Sequence, residues 1–449
     1  MSSNAVGIEH PPLYPPGFRQ RRGLNWAVVG LMYTSYYLCR YNFSYANKSI
    51  AEEFNFTKSD MSTILMLNFV AYGCGQIING LLTDKIGGKR AMLIGAGGTV
   101  LANALFGAAS FWGLFSLFAL LWGINGYVQA FGSPGFIKIN SAWFSEKQRG
   151  TFAGIFGFMI NLGRLFANKL LPLLLSGGVF LWMWYIPPHH WRWLFWIPAA
   201  VATLVAIVLA TTVKDTPEEC GYRNLFPGEA DHADTEVHSH LPTVFKSIVT
   251  NPVVWVMAGA YACTGAVRQS IDQWFPTYFQ EVHQLEMTGP RFQWLGFLIP
   301  LVASAGSLIS GWVSDRFFHS RRAPVAAGIY VIEVVVLLAA SQVHTVNWAL
   351  VFFVLVSFTA NSTHSLLGPA AAMDIGGRKA AAFASGCIDA CQYFGAALAI
   401  KGLGYVLDNK NLGWGYYFYY LIPFGILGGV LMYSISSRRS LKNTRTAAH

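Results

Sequence analysis

Twelve stretches of predominantly apolar residues follow one another along the chain, and they constrain its fold more than any other feature. The stretches are 24–47, 61–83, 90–109, 111–137, 150–175, 192–213, 251–280, 292–314, 323–342, 347–368, 380–407 and 414–437. A helix needs about 20 such residues to cross the hydrocarbon core of a bilayer. Because a helix also pairs its own backbone groups in lipid, the sequence predicts an all-α membrane protein with twelve transmembrane helices.

The composition supports a membrane carrier rather than a soluble enzyme. Of the 449 residues, 54% are hydrophobic and only 12% are charged. The six cysteines lie almost entirely within predicted spans, with neither the spacing of a disulfide framework nor that of a metal site. No nucleophile–base pair is recognisable in the sequence. We therefore expect no enzymatic activity, no cofactor and no metal.

The net charge of +10 raises the question of nucleic-acid binding, but the distribution of the charges argues against it. Of the lysines and arginines in the tails and connections, 20 lie on the side of the two termini and about six on the opposite side. This is the positive-inside bias of membrane proteins. It predicts cytoplasmic termini, most simply in a bacterial inner membrane, with lipid rather than nucleic acid as the surrounding partner.

Landmarks of the first half recur in the second at a nearly constant offset. Asp84 and Asp315 are 231 positions apart, Arg149 and Lys379 are 230 apart, and the membrane arginines Arg40 and Arg268 are 228 apart. A repeat of this kind predicts two pseudo-symmetric six-helix bundles. The expected division is a cytoplasmic tail at 1–23, bundles at 24–213 and 251–437, a cytoplasmic linker at 214–250, and a second tail at 438–449.

An arginine near the middle of the first span is the strongest sign of function. A charge at this depth costs at least ~2.5–3.5 kcal/mol, so Arg40 should face the protein interior or a wet cavity. Tyr33, Tyr36 or Tyr37, Arg40 and Ser44 recur at helical spacing and form one polar, aromatic face. Arg40 is either a structural arginine held by a carbonyl or carboxylate, or an anion-binding residue in a transport path. The matching Arg268 favours the second interpretation.

Two loops carry a motif that suggests a family. Residues 80–90 and 311–322 both contain glycine, aspartate and a basic cluster in the same order. They resemble the signature loop of the major facilitator superfamily, whose fold this implies. In that superfamily the loop is a latch that breaks as the carrier opens inward. The resemblance implies gating or coupling roles for Asp84, Arg90, Arg149, Asp315 and Arg316, and Asp272 is a further candidate for such a role.

Four passages narrow the resemblance to the organophosphate:phosphate antiporters, which include glycerol-3-phosphate and hexose-6-phosphate carriers. The passages are 36–43, 143–150, 214–221 and 268–278. The similarity implies exchange of an organic phosphate ester, of the sugar phosphate, glycerol-3-phosphate or phosphoglycerate type, for inorganic phosphate by alternating access. Arg40 and Arg268 would then face one cavity, since the planar guanidinium binds phosphate through paired, charge-assisted hydrogen bonds.

Further residues are candidates for contact with the substrate. They are Tyr33, Tyr36, Tyr37, Gln76, Asn161, Arg164, Tyr261, His364, Asp389 and Tyr393. Gln76 stands where the bacterial glycerol-3-phosphate pattern has a lysine, and Ile160 stands where it has a histidine. The identity of the ester therefore stays open. Asp272, one helical turn beyond Arg268, either holds that arginine or takes part in gating.

Two alternative functions are compatible with the same sequence. The first is a proton-coupled transporter of another organic anion, in which Asp272, Asp389 or Glu333 carries the proton. The second is a membrane sensor that binds phosphate esters without transporting them. We expect a monomer in each case.

Overall fold

The computed structural model describes residues 14–144, 149–180, 184–187, 189–222, 250, 252–319 and 321–436. At 149–156, 158, 179–180, 184 and 369–385 it describes the backbone alone. The linker segment 223–249 and both ends of the chain, for which we predicted cytoplasmic positions, lie outside the described residues.

Helices dominate the described part of the chain. Thirteen α-helices account for the twelve predicted spans, because α4 and α5 together form the fourth span. The helices are α1 Phe18–Phe54, α2 Lys58–Ile86, α3 Gly88–Ala109, α4 Phe115–Gln129, α5 Gly132–Trp143, α6 Arg149–Ser176, α7 Trp193–Thr212, α8 Pro252–Val282, α9 Pro290–Phe317, α10 Arg322–Ser341, α11 Val346–Leu367, α12 Pro369–Asp408 and α13 Tyr417–Ser436. Judged by length and composition alone, seven described helices can cross a membrane: α2, α3, α7, α9, α10, α11 and α13 with its preceding 3₁₀ turn.

The spans alternate in direction, so α1 begins and α13 ends on the same side of the molecule. We call this the terminal side and the opposite one the far side. On the far side, between α6 and α7, Gly178–Phe180 (β1) and Trp184–Ile186 (β2) pair as a short antiparallel hairpin. This hairpin is a small addition to the predicted all-helical fold.

Proline explains the interruption of the fourth span. Pro134 lacks a backbone N–H, and its ring meets the carbonyl of the residue four positions earlier, which is Ala130. The regular helix accordingly stops at Gln129 and resumes at Gly132. The second segment ends the span on the terminal side at Trp143.

The two halves repeat one packing pattern. In the first half α1 packs on α6 and α7, α2 packs on α4, and α3 packs on α4 and α7. In the second half α8 packs on α12 and α13, α9 packs on α11, and α10 packs on α11 and α13. These are the same pairs of spans, which confirms the predicted pseudo-symmetric bundles. The halves meet where α2 contacts α12, α6 contacts α9, and α1 contacts α8.

Glycines allow α8 and α12 to approach closely beside Arg268. A Cβ atom at Gly265 would lie 2.0 Å from the carbonyl oxygen of Gln392, and one at Gly395 would lie 2.2 Å from that of Ala262. Both obstacles are backbone atoms of packed helices, so they cannot yield as a flexible side chain does. The close approach places Gln392 next to the arginine.

We expect Gly265→Ala to destabilise the protein markedly, because overpacking of this kind typically costs about 1–3 kcal/mol, occasionally more. The matched control is Gly328→Ala in α10, where nothing lies within 4 Å of the added methyl group. Thermal melting of the purified proteins in detergent measures the difference. Equal melting temperatures for the two variants would contradict the close contact of α8 and α12.

Candidate functional site

Arg40 lies in the middle of α1 and is oriented by an amide from α4. Its Nε donates to Oε1 of Gln129 over 2.9 Å. The amide itself is fixed, because its Nε2 donates to the carbonyl oxygen of Cys39 over 3.0 Å. The oxygen of Gln129 must therefore face the arginine. The guanidinium lies within electrostatic range of Tyr393, which belongs to the other half.

The guanidinium of Arg40 also lies against aromatic rings. Its central carbon is 4.5 Å from the ring centre of Tyr72 and 5.0 Å from that of Tyr37. One terminal nitrogen, Nη2, is buried and has no hydrogen-bond partner among the described residues. Buried polar groups in proteins are nearly always paired. Arg40 thus retains a donor for a ligand.

Arg268 in α8 is oriented in the same manner. Its Nε donates to Oδ1 of Asn361 in α11 over 3.2 Å, and its Nη1 donates to Oε1 of Gln392 over 3.3 Å. The amide nitrogen of Asn361 is occupied by the carbonyl oxygen of Ser357, 2.7 Å away. Arg268 is 6% exposed, and both of its hydrogen-bond partners are neutral.

The two arginines are supported by equivalent positions of the duplicated fold. Gln129 and Asn361 both belong to the fourth span of their half and are 232 positions apart, close to the 228 that separate the arginines. In each case the Nε atom donates to the amide oxygen. The pseudo-symmetry therefore extends to how each half holds its arginine.

Shared neighbours show that the arginines face one region. Tyr37 lies within electrostatic range of the guanidinium groups of Arg40, Arg268 and Arg164. Asp389 lies within range of both Arg40 and Arg268. Among the described residues, this region between the halves therefore contains three guanidinium groups and two carboxylates, those of Asp389 and Asp272. The cations outnumber the anions, which suits an anionic ligand.

The third guanidinium, that of Arg164 in α6, is paired with a carboxylate of the opposite half. Its Nη2 lies 2.5 Å from Oδ1 of Asp272, and both side chains are 3% exposed. The hydroxyl of Tyr41 donates to the other carboxylate oxygen over 3.2 Å. Asp272 lies within electrostatic range of Arg268 but forms no described ion pair with it, and its carboxylate instead connects the two halves through Arg164.

A polar cluster lies beyond Arg268. The hydroxyl of Tyr261 is 2.7 Å from Nδ1 of His364 and 3.3 Å from Oδ1 of Asp389. Gln392 joins this cluster to Arg268, since its Nε2 donates to the same carboxylate oxygen over 3.3 Å. Asp389 and His364, both predicted as candidates, thus reach the arginine through an amide.

Other predicted residues lie farther from the arginines or serve the packing. The hydroxyl of Tyr36 donates to the carbonyl oxygen of Met92 in its own half, 2.7 Å away, and Tyr33 packs among the aromatic rings beside it. Asn161 donates to a carbonyl of its own helix. Gln76 is buried in α2 where that helix passes α12.

Tyr393 lies beside the Arg40 region. Its ring centre is 4.3 Å from that of Tyr72, which covers Arg40. Tyr393 therefore completes an aromatic wall contributed by both halves.

The loop residues predicted to form latches lie on the terminal side. Asp84 pairs with Lys138 of the same half over 3.4 Å, with side chains 48% and 38% exposed. A pair this exposed contributes no more than about 1 kcal/mol. Arg90, Asp315 and Arg316 are exposed at helix ends, and the side chain of Arg149 lies outside the described residues.

Sequence reasoning missed the residues that orient the arginines. Gln129, Asn361 and Gln392 are uncharged amides within apolar spans, and Tyr72 is one of 20 tyrosines. A signal was available for the first two, because they recur at nearly the same offset as the arginines. In the described part of the chain no cluster of His, Cys, Asp or Glu could hold a metal ion.

Comparison with known proteins adds a family and several relatives. The profile described as Major Facilitator Superfamily matches residues 29–400. The glycerol-3-phosphate transporter of Bacillus subtilis is 29% identical over 399 residues, covering 86% of each chain. The probable hexose phosphate transport protein of Chlamydia pneumoniae is 26% identical, covering 93% of this chain and 91% of the other.

Two further proteins are similar over most of the chain. The membrane sensor protein UhpC of Escherichia coli is 27% identical, covering 85% of each chain. Among solved structures, an inward-facing, unoccupied bacterial homologue of the human lysosomal transporter Spinster superposes with a TM-score of 0.74 at 15% identity. The superposition covers 94% of this chain and 98% of that structure's chain. It supports the fold alone.

Proposed function

Because the chain belongs to the major facilitator superfamily and resembles its organophosphate:phosphate antiporters, we propose that it exchanges an organic phosphate ester for inorganic phosphate by alternating access. The observation that carries the proposal is the convergence of Arg40 and Arg268, one from each half, on one region between the bundles. Within the described part of the chain, Arg40 has one donor without a partner and Arg268 has only neutral hydrogen-bond partners, so both guanidinium groups are available to an anion.

Phosphate suits this pair of arginines in charge and geometry. A phosphate ester carries roughly −1.5 to −2 charges near neutral pH and presents three acceptor oxygens. Two guanidinium groups match that charge, and each offers a planar set of donors that cannot lose its proton. Since the arginines belong to opposite halves, a bound phosphate would join the halves through the ligand itself.

Obligatory exchange follows from the cost of the empty site. Two cations that face one region repel each other, and the single charge of Asp389, which lies within range of both, is not enough to neutralise them, so enclosing them without an anion is unfavourable. A bound phosphate removes that cost and allows the loaded carrier to pass between its two open states. The empty carrier would remain open to one side. Each movement would then require an anion, and phosphate leaves as the ester enters.

One rival is favoured by a specific observation. The similarity to a membrane sensor extends over 85% of both chains, so binding of an ester without transport is a second candidate function. For the proton-coupled alternative, the carboxylate of Asp272 is already engaged in an ion pair with Arg164. Asp389 and Glu333 are the other candidates for carrying the proton.

A counterflow experiment tests the proposal. Proteoliposomes loaded with labelled phosphate are diluted into one of five buffers. One buffer contains no anionic substrate, and the others contain unlabelled phosphate, glycerol 3-phosphate, glucose 6-phosphate or 3-phosphoglycerate. We expect rapid loss of label with phosphate and with one class of ester, and almost none without an external substrate. Collapsing the pH gradient with an ionophore should not change the rate.

Each rival gives a different result in the same experiment. Loss of label without an external substrate, or a rate that follows the pH gradient, would favour proton-coupled transport. If no buffer causes loss of label although the purified protein binds the esters in a separate binding assay, the result would favour a sensor. As part of the proposal, the protein is a monomer in a bacterial inner membrane with cytoplasmic termini, and it requires no cofactor, metal or nucleic acid.

A further inference from the structure

Arg268 and Asp272 occupy positions of α8 from which an ion pair would be expected. They are four residues apart, the spacing at which opposite charges on a helix meet. Both are buried, Arg268 to 6% and Asp272 to 2% exposure. A buried carboxylate so close to a buried guanidinium should neutralise it and thereby compete with any anionic ligand.

The structure shows the carboxylate engaged elsewhere. Arg164 of the other half occupies Oδ1 of Asp272 at 2.5 Å, and the Tyr41 hydroxyl occupies Oδ2 at 3.2 Å. Arg268 donates instead to the amide oxygens of Asn361 and Gln392, which carry no charge. Two residues of the first half thus hold the carboxylate, while the second half supplies only neutral partners to its arginine.

We infer that Arg164 is a positioning residue: by holding Asp272 it prevents this carboxylate from pairing with Arg268, and so keeps Arg268 available for phosphate. The inference rests on the proposed function, since it assigns Arg164 a task at the same site. The Arg164–Asp272 pair adds no net charge to the region. Arg40 and Arg268 therefore remain as the two cations available to a phosphate dianion, with Asp389 as a carboxylate within electrostatic range of both.

Asn361 couples the positions of the two guanidinium groups. Its Oδ1 accepts from Arg268 Nε at 3.2 Å and from Arg164 Nη1 at 3.4 Å. The same amide oxygen therefore helps to fix the orientation of the Arg268 guanidinium and that of Arg164, which is paired with Asp272. Loss of the Arg164 side chain would remove the cation nearest to Asp272 and leave Arg268, one turn away, as its alternative partner.

The test compares inorganic phosphate binding by purified wild type, Arg164→Gln, Asp272→Asn and the double variant Arg164→Gln/Asp272→Asn. We expect Arg164→Gln to bind phosphate at least tenfold more weakly, because Asp272 then pairs with Arg268. The double variant should recover to within about threefold of wild type, since the competing carboxylate is gone. A purely structural role for Arg164 predicts no such rescue.

The outcomes separate this inference from the proposed function. If wild type binds no phosphate, the proposed function fails and the inference with it. If wild type binds phosphate but Arg164→Gln binds equally well, or the double variant stays as weak as the single one, the inference alone is wrong. Should Arg164→Gln not fold, Tyr41→Phe removes only the second contact to Asp272. It should weaken binding severalfold and be rescued by Asp272→Asn, and unchanged binding would overturn the inference.

Discussion

We expect Arg40→Ala and Arg268→Ala each to weaken phosphate binding by two orders of magnitude or more. Removing one partner of a buried charged interaction typically costs ~3–5 kcal/mol, and about 1.4 kcal/mol corresponds to a factor of ten in affinity. Both side chains lie between the halves, and each is held by an amide that cannot itself replace a cation. Isothermal titration of the purified, monodisperse variants with phosphate measures the loss.

The combination of the two substitutions is as informative as either alone. Since both arginines act on one ligand, their effects should not add, and Arg40→Ala/Arg268→Ala should be little worse than either single variant. Lysine should rescue poorly at both positions. Lysine keeps the charge, but it lacks the planar guanidinium group. It also lacks the Nε–H that donates to the amide oxygen of Gln129 or Asn361.

Arg192→Ala is the control, because Arg192 is a partly buried arginine that, unlike Arg40 and Arg268, is paired with a carboxylate. It forms an ion pair with Glu53 on the far side and donates to Ser110 over 2.7 Å. Its loss should lower the melting temperature while leaving the phosphate affinity unchanged. Near-normal affinity in Arg40→Ala or Arg268→Ala would exclude the two-arginine site and with it the main support for a phosphate exchanger.

The fold was predictable because the bilayer imposes one rule on every span. Apolar stretches of sufficient length had to become helices, and the constant offset between landmarks implied the duplication that the packing of α1–α7 and α8–α13 confirms. The hydropathy pattern could not predict the break in the fourth span at Ala130 and Phe131. That break depends on a single residue, Pro134, whose effect is local and independent of apolar content.

The candidate site was predictable only in part. Helical spacing and duplication pointed to Arg40 and Arg268, because a charged side chain within a membrane span is energetically costly and usually has a functional role. The partner of Asp272 was not predictable, because Arg164 lies 108 residues away in the opposite half. A preference between two nearby cations depends on how α6 and α8 pack, and no pattern along a single helix contains that information.

The latch loops illustrate the same limit. Aspartates at 84 and 315 were recognisable by their motif, but whether Asp84 contacts its own half or the other could not be read from the motif. The structure pairs it with Lys138 of its own half. On the far side, by contrast, charged residues outside any recognised motif join the two halves.

Three charged residues of the second half hold the first turn of α2. The carboxylate of Asp408 accepts the backbone N–H groups of Lys58 and Ser59 at 2.8 and 2.7 Å. Glu281 lies 2.8 Å from the Lys58 ammonium group, and Lys401 donates to the hydroxyl of Thr63 over 2.6 Å. We call this set of contacts the far-side clamp.

The far-side clamp exploits the electrostatics of a helix end. The first N–H groups of a helix lack partners within it and form the positive end of its dipole, where a carboxylate is favourable. Thr57 and Asp60 already form a capping box within α2, so Asp408 satisfies donors that would otherwise face water. Because α2 belongs to one half and Asp408 to the other, the far side cannot open without breaking these bonds.

We expect the triple variant Glu281→Gln/Lys401→Met/Asp408→Asn to open on the far side at least tenfold more often than wild type. A helix cap contributes about 1 kcal/mol, and each hydrogen bond to a charged group about 1.5–3 kcal/mol. The loss of three such contacts should exceed the roughly 1.4 kcal/mol that corresponds to a factor of ten. The reporter is Thr277→Cys in a background without native cysteines, since Thr277 is 2% exposed beside Lys58 and Glu281.

The rate of maleimide labelling in detergent measures how often Thr277→Cys becomes accessible, without depending on the orientation of the protein in a membrane. Lys48→Met/Glu52→Gln is the matched control, because this pair is also on the far side but lies within α1, with 3.7 Å between its charged atoms. It should label at the wild-type rate. If the triple variant labels no faster than the control, the far-side clamp does not hold the halves together, and closure there must depend on the apolar contact between α2 and α12 instead.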